Sequence, residues 1–358
     1  MKKNRKKIIL SGGGTAGPVV PLLFINKKLK DDYDLLFVGT YNGIERKIIE
    51  DENIKYRAIC SGKFRRYFSL DNFIDIFKIF AGFWQSLFLI IKERPSIVIS
   101  AGGFVAVPLS LAAYILRVPV LIHQQDVLPG LANKLIAPFA KTITVTFKSS
   151  IDYYGKKAVL IGNTGIEIDN YEDEGLYVFD KYKLNKEKKL LVVLGGGTGS
   201  FFINNLIFNS LDQLLKEFNI IHITGSENRV DDVGPERDNY YSSSFMKHDE
   251  LINVFKASDL VVSRCGLSTL TEISFLKKAS ILIPMPNSHQ EYNAFEFKDR
   301  EAAIVLNEKD LTVEIFIENV IRVSSDTDLR NRLIKNSAKV IKNGNQEMIA
   351  IIRNVLED

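Results

Sequence analysis

At 358 residues, with 46% hydrophobic and 25% charged side chains, the chain is too long for one hydrophobic core and too apolar for a disordered or collagen-like protein. Its two cysteines, Cys60 and Cys265, lie far apart without metal-ligand spacing, which excludes a disulfide framework, predicts no zinc site and indicates a reducing compartment. The net charge of +4 is divided unevenly: residues 1–163 contain 24 Lys and Arg against 12 Asp and Glu, whereas residues 164–358 contain 23 Lys and Arg against 31 Asp and Glu. We therefore expect the basic first half to face an anionic partner.

The N-terminal half alternates predicted strands with helices. A basic N-terminus runs into a strand at residues 7–11 without the long apolar region of a signal peptide, and a glycine turn and a helix at residues 21–29 follow. The longest apolar-rich run, residues 79–91, is too short to span a bilayer. Strands alternating with helices predict an α/β fold with a parallel sheet covered on both faces. The remaining strands are predicted at residues 33–39, 96–100, 118–122, 142–146 and 158–161.

The second half repeats this plan after an acidic linker that begins at residue 164. An apolar run at residues 190–194 leads into a second glycine turn and a helix from about residue 202. Two halves that each open with a strand, a GGGT turn and a helix indicate paired Rossmann-like domains that face each other across a cleft. Later strands are predicted at residues 220–224, 260–263 and 280–283, and the segment from about residue 311 is predicted to be helical.

The two glycine turns predict sites for phosphate, because the helix after such a turn offers unpaired N–H groups and the positive end of its dipole. Gly12, Gly14 and Gly17 fit the GxGxxG pattern of dinucleotide enzymes. The second strand, however, ends Phe37-Val38-Gly39-Thr40 and lacks the acidic residue that would hold a ribose, which disfavours a dehydrogenase. Turns that serve only close packing of strand and helix remain an alternative.

Two polar segments of the second half add candidate contacts. Residues 263–272 follow a strand and open a helix, which would turn N–H groups and hydroxyls to a phosphate and the carboxylate of Glu272 to a ribose. Residues 284–294 form an amide-rich turn suited to sugar hydroxyls. Taken alone, the Ser and Thr side chains are explained equally well as helix caps, and Glu272 as a complement to the helix dipole.

Motifs along nearly the whole chain resemble those of the MurG family, N-acetylglucosaminyltransferases that add the second sugar to lipid I in peptidoglycan synthesis. In chain order the motifs are GGGTAGPVVP, SAGGFVAVP, IHQQDVLPGLANK, IGN, GGGTGS, HITG, SRCGLSTLTE and HQEYNA. The resemblance implies a GT-B fold, with residues 1–163 for the acceptor and the membrane and residues 164–340 for UDP-GlcNAc. It also implies that a C-terminal helix at residues 341–358 packs back on the first domain, and that no cofactor and no metal are needed.

The resemblance further implies which residues contact the substrates. In the second domain, Met246 would contact the uracil through its backbone, and Glu272 would contact the ribose. The GlcNAc would be contacted by Gln290 and Asn293. The residues along the diphosphate would be Gly197, Arg264, Leu267, Ser268, Thr269, Leu270 and Thr271. In the first domain, Thr15, Ala16 and Gly17 would close against the reacting centre, with Asp126 across from them. Helix termini would neutralise the leaving diphosphate.

Departures from the family pattern concern the general base. The family usually has His at the position of Pro18, and the usual Glu and Asn of its HEQN motif appear here as Gln124 and Asp126. We therefore hypothesise that Asp126 takes the proton of the acceptor's C4 hydroxyl, since a carboxylate within about 3 Å can do so. A turn-capping role for Asp126 before Pro129-Gly130 is the alternative.

An aromatic segment of the first half predicts contact with an anionic membrane surface. Rings at largely helical spacing follow a pair of cations, the pattern of an interfacial helix whose rings enter the headgroup boundary while cations meet anionic lipid. These residues are Arg65, Arg66, Phe73, Phe77, Phe80 and Trp84. An ordinary amphipathic core helix is the alternative. Nucleic-acid binding, the other explanation of the basic half, lacks a recognisable motif.

Together these features predict an enzyme of cell-wall synthesis, a hexosyltransferase that transfers GlcNAc with inversion from UDP-GlcNAc to the muramyl C4 hydroxyl of lipid I. The acceptor would be a lipid-linked muramyl-pentapeptide, and the protein would lie peripherally on the cytoplasmic face of the cell membrane. Three alternatives stay open: another lipid-directed transferase, for instance one acting on diacylglycerol; a UDP-sugar epimerase built from the same two domains; and a non-catalytic UDP-sugar binder, which Pro18 in place of His would favour.

Overall fold

A computed structural model describes residues 5–15, 17–62, 71–167, 175–225 and 237–357 of the chain. The chain divides into two compact units, one formed by Met1–Ile166 with Asn343–Asp358 and the other by Glu167–Lys342. Each unit contains a sheet of parallel strands connected by helices, which confirms the predicted α/β class.

The first unit is built on a parallel sheet. Its strands, among the described residues, are β1 (Lys7–Gly12), β2 (Asp34–Gly39), β3 (Tyr56–Ala58), β4 (Ile97–Gly102), β5 (Val120–Gln124), β6 (Thr142–Val145) and β7 (Ala158–Leu160). They lie in the order β3-β2-β1-β4-β5-β6-β7. The strand order changes direction at the pair of β1 and β4, and open α/β sheets bind ligands beyond the carboxyl ends of strands at such a point.

Helices cover both faces of this sheet. They are α1 (Val19–Leu29), α2 (Ile44–Asp51), α3 (Asp71–Glu93), α4 (Ala106–Ile115) and α5 (Leu131–Ile136), with short 3-10 turns at Ala137–Phe139, Lys148–Tyr153 and Gly155–Lys157. Alternate residues of β1 enter opposite cores: Ile8 and Leu10 pack with α1, whereas Ile9 packs with α4. This alternation is what a strand buried on both faces requires.

The second unit repeats the design with a parallel sheet of its own. Its described strands are β8 (Lys189–Leu194), β9 (Phe218–Ile223), β10 (Tyr240–Ser243), β11 (Leu260–Ser263), β12 (Ser280–Leu282) and β13 (Ile304–Val305), in the order β10-β9-β8-β11-β12-β13. Its helices are α6 (Gly175–Lys181), α7 (Phe201–Leu214), α8 (His248–Ala257), α9 (Leu267–Phe275), α10 (His289–Asp299), α11 (Val313–Ser325) and α12 (Thr327–Ser337), with a 3-10 turn at Glu308–Asp310.

The last helix, α13 (Asn345–Glu357), belongs to the first unit. Met348, Ile352 and Leu356 are buried in the core that surrounds α1. At its start, the side chain of Asn345 accepts a hydrogen bond from Gly165 N (2.9 Å) and donates one to Ile166 O (3.1 Å). Two segments far apart in sequence are therefore tied together where the chain leaves the first unit and where it returns.

Candidate functional site

A glycine loop follows β8 at the carboxyl edge of the second sheet. Gly199 has a positive φ of 89°, and a Cβ there would collide with the carbonyl oxygen of Thr224, so only glycine fits. Ser200 then caps α7, its hydroxyl accepting a hydrogen bond from Ile203 N (3.3 Å). The loop thus ends at a helix N-terminus, whose unpaired N–H groups suit an anion.

A cavity of about 840 Å³ opens beside this loop, within the size range of small-ligand sites. The glycine loop, the start of α9, the turn before α10 and the segment before α11 all contribute to its wall. Its wall includes Ser200, Arg264, Gly266, Thr269 and Gln290. The cavity lies wholly within the second unit and has helix N-termini on two sides. It is the candidate site for the diphosphate of a nucleotide sugar.

Arg264 joins three segments around the cavity. Its guanidinium donates hydrogen bonds to Ser200 Oγ (2.7 Å) and to the carbonyl oxygens of Ile283 (3.2 Å) and Pro284 (3.1 Å), and it pairs with Glu308 at 2.6 Å. We predicted this residue near the diphosphate, and it does line the cavity. Its hydrogen bonds nevertheless go to the protein, so its position indicates that it shapes the site and supplies positive charge from the wall.

Gln290 and Asn293, the predicted GlcNAc contacts, both hold the turn before α9. The side-chain oxygen of Gln290 accepts hydrogen bonds from the N–H groups of Cys265 and Met285, each at 3.1 Å, and Gln290 lines the cavity. Asn293 is fully buried and donates to Cys265 O at 3.2 Å. The amide of Asn293 thus contacts the backbone before α9, and its contact with GlcNAc stays a prediction.

The first turn of α9 contains backbone N–H groups both with and without a hydrogen-bond partner inside the helix. Its N-cap is Gly266, which has no side chain to satisfy the first N–H groups, so those of Leu267, Ser268 and Thr269 lack partners within the helix. Leu270 N, in contrast, donates to Gly266 O at 3.1 Å. The open N–H groups of Leu267, Ser268 and Thr269 support the contact predicted between this turn and the diphosphate, which stays a prediction.

Two of the predicted contacts in α9 face the interior instead. Leu270 is fully buried as a core residue. Thr271 is buried as well, and its hydroxyl donates to Leu267 O at 2.8 Å, the usual bond of a Thr side chain inside a helix. Their side chains and the Leu270 N–H are used by the helix and the core, and their contact with the diphosphate stays a prediction.

The predicted uracil and ribose residues lie outside the cavity wall described above. Met246 is buried in the loop after β10, Phe245 beside it is exposed, and the hydroxyl of Ser243 donates to Phe245 O (2.7 Å). Glu272 is only 4% exposed, and burial raises the pKa of its carboxyl to about 8. Its Oε1 lies 3.6 Å from Nδ1 of His248, the first residue of α8. Gly197, predicted at the diphosphate, is exposed at the tip of the glycine loop.

The glycine turn of the first unit contacts a side-chain carboxylate of the same unit. Glu45, the second residue of α2, is fully buried, and its carboxylate accepts hydrogen bonds from Thr40 N (3.0 Å), from the Thr40 hydroxyl (2.6 Å) and from Gly14 N (3.4 Å). A Cβ at Gly13 would lie 2.6 Å from this carboxylate. One N–H of the first turn, that of Gly14, therefore donates to Glu45, and phosphate binding at this turn stays a prediction.

The loop after β5 carries Asp126 close to this turn. Gln125 donates to Gly17 O at 3.3 Å, and Gln124 holds the loop from inside through its donation to Asp126 O (2.7 Å). Asp126 is half-buried, Thr15 is exposed, and Ala16 lies outside the described residues. The structure therefore brings the loop of Asp126 and the Gly17 turn together at the carboxyl edge of the first sheet.

Two of the histidines are unsuited to act as a general base. His123 and His222 are buried, and burial lowers the pKa of each to about 4. His222 lies 3.1 Å from both the Tyr240 hydroxyl and Asn204 Oδ1, and His123 lies 3.0 Å from the Thr144 hydroxyl. Among the described residues, no cluster of three or more His, Cys, Asp or Glu side chains has the arrangement of a metal site.

Helix α3 carries an exposed apolar stripe. Its members recur at intervals of three and four residues and so lie on one face: Phe77, Phe80, Trp84, Phe88 and Ile91. Phe77 is 75% exposed, whereas Phe83, Leu87 and Ile90 on the opposite side pack into the core. Arg65, Arg66 and the side chain of Phe73 lie outside the described residues. Within the described chain, no helix has both the length and the apolarity needed to cross a bilayer.

Two parallel-sheet units, one of them with a cavity bordered by helix N-termini, fit a nucleotide-binding protein of the two-domain α/β class. Residues 8–145 match the model of the glycosyltransferase family 28 N-terminal domain, and residues 190–350 match that of the family 28 C-terminal domain. The chain belongs to the MurG family within glycosyltransferase family 28. The family that the sequence motifs predicted is thereby confirmed.

Relatives of near-identical length carry one name. Proteins of Clostridium kluyveri and Clostridium tetani, 38% and 39% identical to this chain, are named UDP-N-acetylglucosamine--N-acetylmuramyl-(pentapeptide) pyrophosphoryl-undecaprenol N-acetylglucosamine transferase. Each alignment covers 97% of this chain and 99% or 98% of the relative. The crystal structure of Acinetobacter baumannii MurG is similar in fold, with a TM-score of 0.79 at 22% identity over 98% of this chain and 99% of that one. The UDP-GlcNAc 2-epimerase of Neisseria meningitidis shares the fold at a TM-score of 0.65 and 12% identity, with 99% and 100% covered.

Proposed function

We propose that the protein transfers GlcNAc from UDP-GlcNAc to the C4 hydroxyl of the muramyl sugar of lipid I and so forms lipid II. The observation that carries this proposal is the match to full-length relatives named for this transfer. The cavity of the second unit supports it, because open N–H donors at the starts of α7 and α9 suit a diphosphate. Helix dipoles at the same place would stabilise the charge that develops on departing UDP.

The reaction is a single displacement at the anomeric carbon. A bond forms between the acceptor's O4 and C1 of GlcNAc while the bond from C1 to the β-phosphate oxygen breaks, so the configuration inverts. UDP leaves with the bonding electron pair, and the hydroxyl proton passes to a base. We assign that base as Asp126, whose loop is fastened to the Gly17 turn by Gln125. The substrate contacts proposed for the second unit are Met246, Glu272, Gly197, Leu267, Ser268, Thr269, Leu270, Thr271, Gln290 and Asn293, with Arg264 in the wall.

Product analysis tests the proposal directly. We expect purified protein, given radiolabelled UDP-GlcNAc and a lipid I analogue, to form a labelled lipid-linked disaccharide and an equal amount of UDP. UDP-ManNAc formed without an acceptor would identify an epimerase instead, and transfer to diacylglycerol would identify a different lipid acceptor. Binding of UDP-GlcNAc by calorimetry without any product from authentic lipid I would identify a non-catalytic binder.

The first unit is the proposed membrane-binding part. The stripe on α3 presents rings that would enter the headgroup boundary of a bilayer. Helices α3 and α4 pack together, and each ends just before the start of a strand, so their C-terminal ends lie at the same edge of the sheet. Tyr114 at that edge is exposed, and Arg117, Lys141 and Lys157 line a cavity of about 930 Å³ beside it. Cations next to exposed rings fit an anionic lipid surface on the cytoplasmic side, reached peripherally.

Replacing Phe77 by Ser tests this surface. We expect about tenfold weaker binding to vesicles that contain anionic lipid, because an exposed ring that becomes buried in the interface contributes about 1.5 to 3 kcal/mol. Vesicle cosedimentation measures the partition. Tyr153→Ser, which removes another exposed ring of the first unit, is the matched control and should bind as the wild type does. Equal binding by Phe77→Ser and the wild type would contradict the assignment of the stripe.

A further inference from the structure

The carboxylate of Glu45 is packed against the glycine turn that follows β1. Glu45 is fully buried near the start of α2, and a Cβ on Gly13 would lie 2.6 Å from its carboxylate carbon. A Cβ on Gly43, the N-cap of α2, would lie 2.2 Å from either carboxylate oxygen. A side chain at either glycine would therefore displace the carboxylate, so the two glycines provide the space that it occupies.

The two oxygens of this carboxylate connect two loops. Oε1 accepts hydrogen bonds from the backbone N–H (3.0 Å) and the hydroxyl (2.6 Å) of Thr40, which follows β2. Oε2 accepts one from Gly14 N, in the turn after β1 (3.4 Å). Tyr56 of β3 fixes the loop of Thr40, because its hydroxyl donates to Thr40 O at 2.6 Å. Glu45 thus links the glycine turn to a loop that is itself anchored to the sheet.

The rest of the turn is held through its backbone. Gly103, directly after β4, has a positive φ of 98°, and a Cβ there would lie 2.6 Å from Gly13 O, so the two backbones are in close contact. At the end of the turn, Gln125 donates to Gly17 O at 3.3 Å from the loop that carries Asp126. Glu45 therefore acts on one end of a turn whose other end contacts the loop of the proposed base.

An amide of the same size could not make these contacts. A carboxylate has an acceptor at both oxygens, whereas the amide of Gln has one oxygen and one NH₂ group that only donates. The substitution Glu45→Gln would therefore turn a donor towards either Thr40 N or Gly14 N. A buried N–H that loses its acceptor is costly, so the turn is expected to shift.

We propose that Glu45 is a positioning residue for the acceptor: by accepting a hydrogen bond from Gly14 N, it holds the first glycine turn in the shape that receives the muramyl sugar. Glu45 contacts neither substrate and has no part in the transfer step. This inference rests on the proposed function, specifically on binding of the acceptor beside this turn and the loop of Asp126. Binding of UDP, whose proposed contacts lie in the second unit, should not depend on Glu45.

Steady-state kinetics of the full chain with a lipid I analogue test the inference. We expect Glu45→Gln to raise KM for the analogue about tenfold, the effect of one unsatisfied buried N–H, while kcat and the Kd of UDP stay near those of the wild type. Gly13→Ala should raise the same KM, because its Cβ would displace the carboxylate from the side of the turn. Glu50→Gln removes an exposed carboxylate of the same helix and should match the wild type.

Hydrogen exchange gives a readout that does not depend on turnover. Mass spectrometry should show the glycine turn exchanging about tenfold faster in Glu45→Gln than in the wild type, because the Gly14 amide loses its acceptor. A folded Glu45→Gln protein with the wild-type KM for the analogue overturns the inference. So does a fall in kcat with both KM values unchanged, since loss of folded protein alone would produce it. If Glu45→Gln does not fold, the KM of Gly13→Ala decides in the same way.

Failure of the transferase proposal is a separate outcome. Wild-type protein that forms no disaccharide, together with faster exchange of the turn in Glu45→Gln, refutes only the transferase proposal. Wild-type protein that forms the disaccharide, together with an unchanged KM and unchanged exchange in Glu45→Gln, refutes only this inference.

Discussion

Asp126→Asn is expected to lower kcat by about a hundredfold or more while KM for UDP-GlcNAc stays near that of the wild type. Removal of a general base typically costs a factor of about 10² to 10⁴, because the attacking hydroxyl must then lose its proton unaided. Asparagine keeps the size of the side chain, so the loop that Gln124 holds through Asp126 O should keep its shape. Steady-state rates with a lipid I analogue measure the effect.

Two comparisons separate chemistry from structure in this experiment. Asp152→Asn removes an exposed carboxylate from the same unit and should leave kcat unchanged. Thermal unfolding of Asp126→Asn should match the wild type, which would exclude a loop that has lost its fold. Unchanged turnover in Asp126→Asn would eliminate Asp126 as the base and leave the turn-capping explanation. The exposed His289 and the half-exposed His248 would then be the next candidates, because His123 and His222 are buried.

The sequence was sufficient to predict the central strands of both sheets and one edge strand, β7, but not the other three edge strands. Buried runs such as β1 and β8 are uninterrupted and apolar, and each leads into glycines, so both the strand and its turn could be recognised. Three edge strands, β3, β10 and β13, were not predicted. They are two to four residues long and only partly buried, so neither length nor periodicity distinguishes them from loops.

The sequence indicates a local hydrogen-bonding arrangement where a short motif contains both partners, but not where the partners come from distant segments. The open donors of Leu267 to Thr269 follow from Gly266 directly before the helix. The partners of Arg264 lie in three other segments, at Ser200, Ile283 and Glu308, and no local pattern indicates that they converge. The chemical type of a residue was enough to suggest a site, whereas the hydrogen bonds that the residue makes could be known only from the folded structure.

Glu45 illustrates a functional feature that sequence reasoning missed. Its carboxylate occupies the amide-lined turn of Gly13 and Gly14, about thirty positions earlier in the chain. The available signal was an acidic residue in the first turn of the helix after β2, close behind Thr40. Two similar GGGT turns therefore differ in chemistry, because one is satisfied by an internal anion and the other opens to a cavity.

Glu272→Gln is expected to weaken UDP binding and, in the same protein, to increase stability at alkaline pH. At pH 9, above the raised pKa of about 8, Glu272 is ionised, and loss of this charged acceptor for two ribose hydroxyls should cost about 2 kcal/mol, or about thirtyfold in Kd. Isothermal calorimetry measures this loss, and Glu318→Gln, which removes an exposed carboxylate of α11, should bind UDP as the wild type does. Binding unchanged in Glu272→Gln would exclude the contact with the ribose.

The stability change follows from the raised pKa of the buried carboxyl. Burial raises the pKa of Glu272 from 4.5 to about 8, so the folded protein holds this proton more tightly than the unfolded chain does. The free energy of unfolding that Glu272 contributes therefore falls as pH rises from about 4.5 to 8, and an amide escapes that loss because it does not titrate. Urea unfolding should show Glu272→Gln close to the wild type at pH 5 and more stable at pH 9, whereas an equal difference at both pH values would mean that the buried carboxyl does not titrate as its surroundings require.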